Sequence, residues 1–243
     1  MLRKLFDNNE VRIILIYIIT TAIIYASFWI GYYFMPFWVA LGVSIVLFAV
    51  GGALYAVFRK YYWSPMAYVF ALSAGIGLAV SLLFIALPIV PSKFFGVVLL
   101  IMLGYKILQA VFGAIVKQRL ASYIMLIVCL LAELVACIIV GVVAYADAGL
   151  YWQIFFALLL CFFYSCAQIY LRKCGKENFW HNAAIAYLLG FVFIFVLVVL
   201  LVISMLAEDG APLGILFEAG GEGIGGALSD GITDNIIMNK KRK

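Results

Sequence analysis

The sequence predicts an all-α fold: a polytopic transmembrane helical bundle of seven crossings. Three observations carry that expectation. Hydrophobic residues make up 68% of the 243 positions and charged residues 11%, with a mean hydropathy of +1.22. A water-soluble domain is roughly half apolar and a quarter charged, so the medium covering this surface must be lipid. The apolar residues also fall in long runs, each near the ~20 residues that a helix needs to cross a bilayer. Strands of a spanning barrel would alternate polar and apolar residues at period two, and these runs do not.

The predicted crossings are 11–34, 37–58, 66–90, 94–116, 121–146, 151–171 and 182–206. Arg3, Lys4 and Arg12 lead into a first run longer than the apolar stretch of a signal peptide, so it reads as a retained helix. Met35-Pro36 divides the first crossing from the second. Ser64-Pro65 precedes the third, and Pro88 and Pro91 close it. The basic turn Lys117-Gln118-Arg119 separates the fourth from the fifth, and Asp147-Ala148-Gly149 turns the fifth into the sixth. Aromatic clusters mark the water interfaces: Trp29 to Trp38 at one turn, Tyr61-Tyr62-Trp63 at the next, then Tyr151-Trp152 and Phe179-Trp180.

Orientation follows from the loop charges. The N-terminus and the loops after crossings two, four and six hold Arg3, Lys4, Arg12, Arg59, Lys60, Lys117, Arg119, Arg172, Lys173 and Lys176. The alternate loops hold Lys93 alone. Ten against one places the N-terminus in the cytoplasm of a multi-pass integral protein, expected in the plasma membrane. The same distribution assigns the net charge of +5 to topology, so no nucleic-acid partner is expected. Five cysteines form no CxxC pair and no even framework, which indicates neither a disulfide scaffold nor a metal site.

Residues 1–207 form one seven-helix domain, and 208–243 form a Gly-rich tail. Seven crossings leave the tail outside, which suits Glu208-Asp209, yet it ends on the basic run Lys240 to Lys243. As a helix, 211–236 would reach about 39 Å and could recross. Its acids Glu218, Glu222, Asp230 and Asp234 would be costly against lipid. A loose tail and an eighth or re-entrant segment both stay open. The tail's Gly221-Glu222-Gly223-Ile224-Gly225-Gly226 matches GxGxxG formally, but it lacks the βαβ context of a dinucleotide site.

Two charges stand where charge is expensive. Lys106 lies mid-way along the fourth run and Glu133 mid-way along the fifth. Each costs roughly 2.5–3.5 kcal/mol at a helix centre on insertion scales. Counted from the turn between the runs, their depths differ by about 4 Å, within reach of a lysine stem. The expectation is a buried pair on adjacent antiparallel helices.

Helical spacing extends it. Lys106, Gln109 and Gly113 share a face, as do Cys129, Glu133, Cys137 and Gly141 on the next helix. On the sixth, Cys161, Tyr164, Ser165, Gln168 and Arg172 follow the same helical period. Close packing explains the small residues. A hydrated cavity lined by Gln109, Tyr164, Ser165 and Gln168, with Lys106 and Glu133 as gate or coupling pair, explains the polar ones. On the third helix Ala71, Gly75 and Ala79 form a small-residue packing face, internal or between subunits.

Enzyme chemistry finds little support. His181 is the only histidine and is expected as a solvated loop aromatic, which excludes HExxH metal chemistry. No GxSxG elbow occurs, and no cofactor is implied. Two functional classes lead, with a membrane enzyme third. One is a permease, channel or transport-complex subunit with a polar path through helices four to six. The other is a non-transporting assembly, anchoring or immunity-type subunit whose charge pair is structural, with a homo-oligomer or membrane-complex partner.

Overall fold

A computed structural model describes residues 9–61, 63–87, 89–116, 119–146, 149–173 and 178–208. Among them are seven helices and no strand. These are α1 (Asn9–Phe34), α2 (Phe37–Val57), α3 (Trp63–Ala86), α4 (Phe95–Ile115), α5 (Arg119–Ala146), α6 (Leu150–Lys173) and α7 (Phe179–Glu208). All seven are long and apolar enough to cross a membrane. The shortest, at 21 residues, still reaches about 32 Å, enough for a hydrocarbon core near 30 Å. The chain is a multi-pass integral membrane protein. The tail, and with it the question of an eighth segment, lies outside the described residues.

Element boundaries differ from expectation where proline chemistry was read too bluntly. Helix α3 begins at Trp63 and so carries Pro65 in its first turn, where no backbone donor is needed. It stops at Ala86, two residues short of Pro88, because the residue before a proline is driven out of helical geometry. Helix α7 begins at Phe179 and so takes in His181. That histidine is not a solvated loop residue: it is half-buried, and Nδ1 is hydrogen-bonded to the Tyr55 hydroxyl of α2.

Helix α3 is the centre of the bundle, with α1, α2 and α7 packed around it. From Leu72 to Ala86 nearly every side chain is buried. Small residues set the approach. A methyl on Gly77 would fall 2.3 Å from Ser27 Oγ and 2.4 Å from the Ile24 carbonyl of α1. Reciprocally, one on Gly31 of α1 would fall 2.3 Å from Ser81 Oγ of α3. Each helix thus offers a glycine to the other's serine, the close-backbone device of membrane interfaces. Of the expected packing face, Gly75 receives the Phe191 ring of α7, Ala71 faces Gly51 of α2, and Ala79 is fully buried.

The second half of the bundle is built differently. Helix α5 packs on α6, while α4 packs on α1 and α6. The sequential neighbours α4 and α5 are not among the closely packed pairs, so α6 stands between them. Contacts fix the relative directions. Glu10 at the start of α1 meets Arg172 at the end of α6, and Gly113 near the end of α4 meets Arg172 as well. Helices α4 and α6 are therefore parallel. The end of the bundle holding Glu10 is called proximal below, and the opposite end distal.

The distal half is closed by aromatic rings. Phe28 of α1 lies 4.9 Å from Phe84 and 5.0 Å from Phe95, centroid to centroid, and Phe84 lies 5.1 Å from Phe156. Rings at these spacings gain edge-on and offset contacts beyond their buried area. Four helices meet in this layer.

Candidate functional site

Lys106 is 0% exposed and Glu133 5% exposed, and they form a salt bridge. The lysine reaches across the gap between α4 and α5, over the face of α6. A four-carbon stem permits this where the two helices are not closely packed. The ammonium also donates to Ser165 Oγ of α6 and, over 2.8 Å, to Gln109 Oε1 one turn along its own helix. Three hydrogens thus meet three oxygens.

The carboxylate is held on both sides. One oxygen accepts from Lys106, and the other accepts from Ser165 Oγ at 2.7 Å. The serine hydroxyl relays between the two charges, accepting from the ammonium and donating to the carboxylate. Lys106 Nζ also lies 5.2 Å from the Tyr105 ring centroid, a cation–π contact. Opposite charges buried in lipid are tolerable only when their lone pairs and protons are met, as here.

From this centre a column of polar groups runs to the proximal end. Gln168 is fully buried one turn below Ser165, with Oε1 3.4 Å from the Tyr17 hydroxyl of α1. Tyr17 donates to the Tyr164 carbonyl at 2.7 Å, and its ring stacks on Tyr164 at 4.4 Å. The Tyr164 hydroxyl meets Thr21 at 2.8 Å and Thr20 at 3.0 Å, and Thr20 also meets the Tyr187 hydroxyl of α7 at 2.9 Å. At the foot, Arg172 Nε is 2.8 Å from Glu10 Oε1, and Nη1 donates to Ser122 Oγ of α5 at 2.6 Å.

The structure brings together every candidate lining residue: Gln109 and Ser165 around the charge pair, Tyr164 next to Ser165 along α6, and Gln168 one turn below. Direct side-chain hydrogen bonds join them to the charge pair and to α1. Two amide nitrogens, Gln109 Nε2 and Gln168 Nε2, are buried and meet no acceptor among the described residues. The small-residue face Ala71, Gly75 and Ala79 lies away from this column, on α3.

The sequence alone did not point to α1 and α7 as contributors. Tyr17, Thr20 and Thr21 look ordinary in a helix, although i, i+3 and i+4 spacing puts them on one face. Ser92 was missed as well: with the Val90 carbonyl it meets the buried amide of Gln153 at the distal start of α6. Between Gln153 and Cys161 that face carries only Ala157, beside the aromatic layer. The column therefore ends near mid-membrane. Among the described residues no three His, Cys, Asp or Glu come together as metal ligands.

No family model, curated protein or solved structure matches the chain.

Proposed function

We propose that the protein is a membrane transport protein, a permease or the permease subunit of a transport complex, with its polar path in a closed arrangement. The carrying observation is the buried Lys106–Glu133–Ser165–Gln109 cluster together with the polar column that leads to it from one end. Intramembrane charges commonly mark substrate, ion or proton pathways. A pair that served only to fix helix register would need hydrogen bonds to its own lone pairs and protons, and no polar groups beyond them. Here the polar groups continue for two helical turns and draw on five helices. In this reading Lys106 and Glu133 are the coupling pair, and Gln109, Tyr164, Ser165 and Gln168 line the route. Separation of Lys106 from Glu133 would link charge movement to opening.

A second reading has its own support. Every hydrogen of the Lys106 ammonium is met and the distal half is packed with aromatic rings, which suits a rigid membrane assembly subunit. Reconstitution separates the two. Proteoliposomes carrying the protein should pass charge or solute under an imposed gradient. Purification with a fixed membrane partner and no flux of any solute in a broad panel would favour the assembly reading.

A further inference from the structure

The proximal end of the column carries a second charged cluster, and its construction differs from that of the first. Arg172 is 9% exposed by side chain and Glu10 16%. The guanidinium touches four helices: its own α6, Glu10 on α1, Ser122 on α5 and Gly113 on α4. Its contact with Gly113 leaves no space for a side chain there. A methyl there would fall 1.9 Å from Nη2, 2.8 Å from Cζ and 3.0 Å from Nη1. Only glycine leaves room for the guanidinium to lie on the α4 backbone.

The register is consistent. Lys106 and Gly113 are seven residues apart on α4, and Ser165 and Arg172 are seven apart on α6. The two helices are parallel, so two contacts at one level recur together about 10 Å lower. The upper contact is Lys106 against Ser165; the lower is Arg172 against Gly113.

The clusters differ in how well they are satisfied. At the centre every ammonium hydrogen has an acceptor. At the foot Nε faces Glu10 out of line for a hydrogen bond, and Nη2 meets no acceptor among the described residues. A buried donor without an acceptor costs most of what water would give back. The unmet donor makes the foot cheaper to open to water than the fully met ammonium at the centre.

We propose that Arg172 and Glu10 form a latch across the proximal mouth of the polar column, seated on Gly113, whose release opens the column to water as far as Lys106. As the gate of a transport path it rests on the function proposed above; as a latch it is tested separately. The loop charges place this mouth on the cytoplasmic side.

The test uses the full chain with its native cysteines replaced and one reporter, Gln168→Cys, between latch and centre. A membrane-impermeant maleimide is applied from the proximal side. Glu10→Gln should raise the labelling rate about tenfold, a scale between that of an exposed and a buried ion pair. Gly113→Ala should do likewise, because a methyl displaces the flexible end of Arg172 and leaves the α4 backbone in place. The charge swap Glu10→Arg with Arg172→Glu should return labelling to the starting rate. Where the cysteine-free background does not fold, amide exchange over 168–172 in the native-cysteine protein reads the same opening.

Unchanged labelling and exchange in both Glu10→Gln and Gly113→Ala overturn the latch. Faster labelling without charge movement in any form supports the latch and removes the transport reading. Charge movement with no change in labelling does the reverse.

Discussion

Lys106 survives at the centre of a bilayer-spanning helix because three oxygens from three helices surround its ammonium. Removing one partner of a buried pair leaves an uncompensated charge and costs about 3–5 kcal/mol. Lys106→Met and Glu133→Gln should each destabilise the protein by that order, read as thermal unfolding in detergent. The double change removes both charges and should recover most of the loss. A double variant as unstable as either single one would mean that the pair does not act as a unit. The pairing was legible in the sequence, since two central charges at matched depth on sequential helices have few other partners. Ser165 between them was legible only as one polar residue in a stripe. The Arg172–Gly113 contact was not legible, because nothing local to Gly113 says that a guanidinium from another helix will rest on it.

At the scale of the element, the bundle depends on where backbones approach. Gly77→Ala would push a methyl to 2.4 Å from the Ile24 carbonyl, which is backbone and cannot swing aside. Helices α1 and α3 would have to part, an overpacking cost of about 1–3 kcal/mol. Gly104→Ala on α4 meets nothing within 4 Å and should leave the melting temperature unchanged or slightly raised. The same melting experiment reads both, and equal losses would remove the argument from close approach. The sequence marked α3 as a packing helix through Ala71, Gly75 and Ala79. It did not single out Gly77 and Gly31, whose importance lies in a reciprocal fit with serines 50 or more residues apart in the chain.

At the scale of the whole molecule, the seven crossings were legible because lipid imposes a length and a composition on each run. Lateral order was not. Lipid-facing and helix-facing surfaces are both apolar, so hydropathy does not say that α5 leans on α6 or that α4 turns to α1. That order decides the site, because it sets α6 between the two charged helices and brings Tyr17, Thr20 and Thr21 of α1 into the column. Orientation is a separate expectation from the loop charges. A tag before Arg3 should report on the cytoplasmic side and one inserted beside Lys93 on the opposite side, and the reverse pattern would refute it.

The central claim is that the buried pair couples charge movement to a path. It is tested most directly by charge displacement after a pH jump, measured on proteoliposomes of the wild type and of the folded Lys106→Met/Glu133→Gln double variant. The wild type should give a current that the double variant loses while keeping its fold. Equal currents in the two proteins, or none in either, would contradict it.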